Sequence, residues 1–595
     1  MTTNKYNIYQ VFTRLFGNKK SVNTPWGSAE QNGLGKFSDF THQALAEIQK
    51  LGITHIWYTG VPHHALVRNY TQYGIHNDHP SVVKGRAGSP YAVKDYYSVN
   101  PDLADNPEQR NEEFAALIHR THNAGMKVII DIVPNHVARQ YCGLNNPAGV
   151  NDFGANDDTS VEYARDNNFY YIPQQPFELP DIPTSLLPLG GEKHPDLATP
   201  YHEYPAKWTG NGSRLAKPNA DDWYETVKVN YGIRPDGRKD FVSLPEEYRF
   251  KSHREHAAFW QDKSVPDSWV KFRDIALYWI NKGVDGFRYD MAEMVPIEFW
   301  SYMNSAIKQQ NPHAFLLAEV YQPELYRDYI QLGKMDYLYD KVDLYDSLKA
   351  VMQGHGSTKE IGRIEYQLRD IEHHMLHFLD NHDEQRIASP QFAGSAEKAI
   401  PAMLISTCLS TAPTMIYFGQ EVGEAGAEHA GFGQPSRTSI FDYIGVPSHQ
   451  RWMNNGLFDG GQLTDSEKQL RDFYCTLLNL AKQSPALMGE YHDLYAQNVD
   501  NFAPLQDSLF AFARGNTTQK LILAANFSDT HSKSLHLSIP MALIKYWGLS
   551  EGEYPLFDHL TQQALVLIVN EKEDTAYVPL KFSPLSAHFI ELIWE

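Results

Sequence analysis

Four short segments place acidic, basic and imidazole groups directly after apolar runs: Asp131-Ile-Val-Pro-Asn135-His136, Gly286-Phe-Arg288-Tyr-Asp290, Ala318-Glu319-Val320 and Phe378-Leu-Asp-Asn381-His382-Asp383. Carboxyl groups gathered in one cleft can divide their labour, one ionised as a nucleophile and another protonated as a general acid, because each raises the proton affinity of its neighbour. Asp290, Glu319 and Asp383 are the candidates for such a set. Arg288 stands two residues before Asp290, on the same side of an extended strand, where its cation would keep that carboxylate ionised and orient it. Taken singly, each acid could be no more than a helix N-cap. Their meaning depends on the elements that carry them.

Other groupings carry less chemistry. The three cysteines, Cys142, Cys408 and Cys475, have no CxxC spacing, so neither a disulfide framework nor a zinc cluster is expected, and free thiols fit a reducing compartment. His63-His64, and His373-His374 with His377, form two histidine groups. The spacing of His373 and His377 would align two imidazoles on one helical turn, but no pattern places a partner Glu or Asp with them, and no zinc site is expected.

The carrying elements follow a repeated pattern: amphipathic helix, a Gly or Asn-Pro break, a short apolar run, then a polar cluster. It occurs at Phe40 to Val61, Asn111 to Val137, Ser268 to Asp290, Ile297 to Val320 and Ala396 to Glu421. Helices alternating with fully apolar strands predict βαβ units and a parallel sheet covered on both faces. With the further runs Ile8–Phe12, Met335–Tyr339 and His377–Asp380 the count reaches eight strands, that of a (β/α)8 TIM barrel. Its reactive groups belong at the C-terminal ends of the strands, where the polar clusters stand. A doubly wound open sheet is the competing arrangement and would also place ligands at strand ends.

About 130 residues rich in Pro, Gly, Asn and Tyr separate Val137 from the helix near Ser268, too many for an ordinary loop, so an inserted domain over the mouth is expected. After about residue 487 alternating runs such as Ser508–Ala513 and Lys520–Ala525 predict an all-β sandwich. The expected division is 1–137 and 256–487 for the barrel, 138–255 for the insertion and 488–595 for the sandwich.

With 42% apolar and 21% charged residues the chain is of ordinary globular composition. A formal charge of -20 argues against nucleic-acid or anionic-membrane partners. Met1 to Tyr9 shows no basic segment before an apolar core, and Ala402–Phe418 is interrupted by Ser, Thr and Pro, so neither a signal peptide nor a membrane span is expected, and the location is read as cytoplasmic.

In their order and context the four segments resemble the signature regions of the α-amylase family, glycoside hydrolase family 13. Gly52-Ile-Thr-His-Ile-Trp-Tyr, Ser89-Pro-Tyr91-Ala-Val-Lys-Asp95-Tyr96 and Pro413-Thr-Met-Ile-Tyr-Phe-Gly419-Gln420-Glu421 extend the resemblance over about residues 5 to 480. It implies Asp290 as nucleophile, Glu319 as acid/base, and Asp383 as the third carboxylate, which binds and distorts the sugar. It implies His136 and His382 as donors to sugar hydroxyls, Tyr91 as the stacking ring, and Asp131 and Asn381 as support. The expected activity is retaining hydrolysis of α-glucosidic bonds, above all α-1,4, in maltodextrins, starch or glycogen-type glucans, with the reactive carboxyls about 5 to 5.5 Å apart. The alternative is an α-glucan or maltosyl transferase, since the stretch around Tyr91 is similar to that of several such members. A binding protein without catalysis would not need all three carboxylates and Arg288. No cofactor is required for the chemistry. Asn135 matches a ligand of the structural calcium found in many relatives, but Glu293 and Met294 stand where those relatives carry Lys-His. A backbone carbonyl could still serve there.

Overall fold

The computed structural model describes residues 4–593. Its parallel strands are β1 (Asn7–Phe12), β2 (His55–Thr59), β3 (Lys127–Ile132), β4 (Gly286–Tyr289), β5 (Phe315–Ala318), β6 (Tyr337–Tyr339), β7 (Met375–Phe378) and β8 (Thr414–Tyr417). They pair in chain order, and β8 returns to β1 through Asn7↔Thr414 and Gln10↔Tyr417, closing the sheet on itself. Closure excludes the doubly wound alternative. It also explains the apolar runs: every residue of β4, β5, β7 and β8 is buried, because side chains fill the barrel on one face and helices cover the other. Each strand overlaps one of the runs that predicted it.

The helices that matter for the site are α1 (Arg110–Asn123), α2 (Asp267–Asn281), α3 (Ile297–Gln310) and α4 (Ala399–Cys408). Gly125 and Gly283 follow α1 and α2 with φ of +79° and +101°, a conformation that costs glycine little, and turn the chain back into β3 and β4. Helix α4 buries almost every residue because the barrel lies on one side of it and the C-terminal sheet on the other. The apolar stretch Ala402–Phe418 is therefore α4 and β8, and among the described residues no helix is long and apolar enough to cross a membrane.

Between β3 and α2, the strands His136–Ala138 and Thr226–Lys228 pair antiparallel with Val137 opposite Val227. The excursion thus leaves and re-enters the barrel rim at one point, beside the polar end of β3. Within it the short strands Tyr171–Ile172 and Ala206–Lys207 pair, single bridges join Phe169 to Val229 and Thr209 to Val227, and turns and short 3-10 segments supply most of the rest, in keeping with its Pro- and Gly-rich composition.

The C-terminal domain, expected as all-β, is built on eight antiparallel strands between Glu490 and Leu592, with the short helices Tyr495–Phe502 and Met541–Tyr546 among them. The strands form one continuous sheet, because Gly552–Asp558 pairs with Ala587–Leu592 and joins its two halves.

Candidate active site

Asp290 and Glu319 each stand one residue beyond their strands, β4 and β5, and Asp383 follows the end of β7 by five residues. All three therefore project from the C-terminal rim of the barrel. Arg288, with no exposed surface, ties them together. Its Nη1 donates to Asp290 Oδ1 at 2.8 Å, its Nη2 donates to Glu319 Oε2 at 3.1 Å, and Asp383 Oδ2 lies 4.0 Å away. Stacking and hydrogen bonds fix the guanidinium: Trp57, Tyr91 and Tyr339 present their rings at 5.2, 5.4 and 5.8 Å, and Asp131 Oδ1 lies 3.5 Å from Nη1. Asp131 in turn accepts from the indole of Trp57 at 2.8 Å and from the Tyr91 hydroxyl at 3.3 Å.

The turn after β4 aims the reactive pair. Met291 adopts the left-handed conformation, φ +46°, uncommon for a residue with a side chain, and its N–H donates to Glu319 Oε2 at 2.8 Å. The Asp290 carboxyl and the Tyr321 phenol are the other groups that bear on Glu319, the carboxyl favouring its protonated form. Asn381 shapes the turn after β7, its Oδ1 accepting from the N–H groups of Asp383 and Glu384, both at 2.9 Å.

Electrostatics follow from burial. Asp131, Asp290, Glu319 and Asp383 surround a single guanidinium, so not all four can be ionised cheaply. Burial raises Asp290 against the pull of Arg288, and burial, aided by Asp290, raises Glu319. Asp383 is pushed up to about 8, by burial first and Glu319 next. Its side chain is 41% exposed at the rim, with His382 Nε2 at 3.1 Å and Arg288 Nη2 at 4.0 Å. Burial takes Asp131 to about 7.

Both rim histidines are neutral with Nε2 toward the cleft. Burial lowers His136 to about 4; its Nδ1 accepts from Asn135 at 3.0 Å and its Nε2 lies 3.9 Å from Asp290. Burial and Arg288 hold His382 well below its usual value; its Nδ1 accepts from Gln10 Nε2 at 2.9 Å, leaving Nε2–H between the Tyr91 hydroxyl at 2.6 Å and Asp383 at 3.1 Å. Tyr91 stacks against His382 with centroids 5.3 Å apart. All the candidate catalytic and sugar-contacting residues thus meet in one place.

Asn135 occupies a different setting. Its Nδ2 donates to Gly210 O at 2.9 Å, and its Oδ1 accepts from the ammonium of Lys228, which also reaches Met294 O at 3.4 Å. Burial alone lowers Lys228, to about 8, with no carboxylate contributing. Calcium wants six to eight oxygens, usually with carboxylates among them, and this donor set, already holding a cation, does not fit it. The other histidine group comes apart: His373 lies on a short turn, whereas His377 is inside β7 near Asp340 and Ser406 O, so the two do not share a helical face.

Sequence patterns did not point to Gln10, Trp223, Tyr321 or Lys228. Gln10 had a signal, as a polar residue within a fully buried strand. Trp223, which meets His136 edge-on at 5.4 Å, and Lys228 come from the insertion, where no periodicity marks them.

The sequence matches the family description "Alpha amylase, catalytic domain" over residues 10–178 and 248–445, well over half the chain. The chain belongs to the α-amylase family. It is accordingly a glycoside hydrolase of that family. It is 21% identical over 91% of its length to neopullulanase 2 of Thermoactinomyces vulgaris, covering 72% of that protein. It is 22% identical over 88% of its length to an intracellular maltogenic amylase of Bacillus subtilis, covering 71% of it. Against other relatives the match spans a smaller share of their length, 54% of alpha-amylase 3 of Dictyoglomus thermophilum and 50% of an alpha-amylase of Streptomyces lividans. Among solved structures, an α-amylase from Geobacillus thermoleovorans complexed with acarbose superposes with a TM-score of 0.60 at 18% identity, over 100% of this α-amylase family chain and 99% of that one.

Proposed function

We propose that the protein hydrolyses α-linked glucose oligomers and polymers, α-1,4-linked maltodextrins foremost, by double displacement with retention at the anomeric carbon. The observation that carries this reading is the bridging of two carboxyls by one guanidinium, Arg288 donating to Asp290 at 2.8 Å and to Glu319 at 3.1 Å. Carboxyls held side by side in this way suit attack by one of them, whereas inverting pairs stand about 6.5–9.5 Å apart to admit a water. The names of the relatives, neopullulanase and maltogenic amylase, support the substrate class.

In the first step the Asp290 carboxylate attacks the anomeric carbon while Glu319 gives its proton to the departing oxygen, leaving a glycosyl ester on Asp290. In the second, the Glu319 carboxylate takes a proton from water, whose oxygen displaces Asp290 and frees the sugar. Arg288 keeps Asp290 ionised. The negative charge of the cluster stabilises the oxocarbenium-like transition state, where positive charge develops. The Nε2–H groups of His136 and His382, together with Asp383, face the space for sugar hydroxyls, and Tyr91 offers an aromatic face.

Incubation with maltoheptaose, followed by chromatography and anomer-resolved NMR, tests the reading. Shorter sugars released first as α-anomers are expected. Products longer than maltoheptaose would show transfer instead, and no products would overturn it. Asp290→Asn should lower kcat by about 10⁴-fold or more.

A further inference from the structure

We propose that the ammonium of Lys228 is a cation built into the chain, doing in this protein the structural work of a metal ion: it clamps the turn after β3 to the turn after β4 and so positions the site without a metal. The clamp joins three segments far apart in sequence. Lys228 closes the inserted strand Thr226–Lys228, opposite His136 in the ladder. Asn135 Oδ1 lies on the turn after β3, and Met294 O on the turn four residues after Asp290. Each oxygen accepts from the same ammonium.

The consequences reach reacting atoms in two steps. With Oδ1 held by Lys228 and Nδ2 bonded to Gly210 O, Asn135 must present Nδ2 to His136 Nδ1, which leaves Nε2–H on the cleft side, 3.9 Å from Asp290. On the other turn, Met294 lies within the short helical turn Ala292–Met294 that follows Met291, whose N–H binds Glu319. Lys228 is therefore a positioning residue for both the imidazole and the acid.

Charge favours a lysine here over a divalent ion. The acceptors on Lys228 are a neutral amide oxygen and a backbone carbonyl, and no carboxylate contributes to its electrostatics. Two neutral oxygens suit a single positive charge, whereas a divalent ion entering the same space would meet too few donors and a like charge.

The thermal midpoint, measured without substrate, tests the clamp separately from the reading of the substrate. The wild-type protein should show the same midpoint, within about 1 °C, in EDTA and in calcium chloride, and Lys228→Met should lower both the midpoint and kcat/KM, the latter on the order of 10- to 100-fold through misplacement of His136 and Glu319. Lys228→Arg, which keeps the cation, should recover most of both losses. Lys228→Asp, which exchanges the cation for a carboxylate among the same oxygens, should gain stability with calcium that EDTA reverses. The proposal is overturned if chelation lowers the wild-type midpoint, if Lys228→Met behaves as wild type, if Lys228→Arg is no better than Lys228→Met, or if calcium leaves Lys228→Asp unchanged.

Discussion

Four carboxylates around one guanidinium cannot all be ionised cheaply, and in the proposed mechanism the proton they retain is the one that Glu319 delivers. Glu319 and Asp383 both stand beside Arg288, and Asp383 is pushed up to about 8 by burial and then by Glu319. The pH profile of kcat/KM should therefore fall on its alkaline side near that value, as the last proton leaves the pair. Asp383→Asn removes a like charge beside Glu319, and the alkaline limb of its residual activity should move to lower pH. A limb that stays in place would separate Asp383 from the titration. The same shift bears on stability. A carboxyl whose value rises from 3.8 to about 8 on folding stabilises the fold below 3.8 and loses that contribution as pH climbs to about 8. The thermal midpoint of Asp383→Asn relative to wild type should thus increase across that window and level off above it. Sequence showed these residues because acids after apolar runs are visible in the chain; their shared proton depends on contacts made only in the closed barrel.

Among the elements, β4 and β5 matter most, since they carry Asp290 and Glu319. They pair Gly286 with Phe315, and a Cβ on Gly286 would come within 2.1 Å of the Phe315 carbonyl oxygen, a backbone atom that cannot move aside cheaply. Gly286→Ala should force the two strands apart, costing about 2–4 kcal/mol of stability, and should lower kcat as the carboxyls separate; urea unfolding with parallel kinetics would read both. The strands themselves were legible from burial on two faces. The left-handed turn at Met291 was not, because nothing in its side chain asks for that conformation.

At the scale of the molecule, the C-terminal sheet is bolted to the barrel by a buried cation. Arg514 donates to Leu409 O, at the end of α4, at 2.9 Å, and to Leu487 O and Gly489 O, each at 2.8 Å. Arg514→Met would leave these carbonyls without their donor. The expected cost is about 2–4 kcal/mol, seen as a lower calorimetric midpoint with activity at 25 °C retained, since the site lies on the far end of the strands' polarity. A midpoint unchanged from wild type would mean that apolar packing alone holds the sheet to α4.

The chain alone indicated eight parallel strands with polar groups at their ends, and left to the structure whether the sheet closes. The reason is physical: a strand covered on both faces must be apolar throughout, and parallel connection puts every C-terminal end on one rim. The folded molecule alone decided which cation meets Asn135. Sequence suggested a metal ligand there, whereas the structure brings Lys228 to it across 93 residues, through an insertion whose turns follow no period. Local pattern records how a segment is covered; it holds no record of which distant side chain completes a polar site.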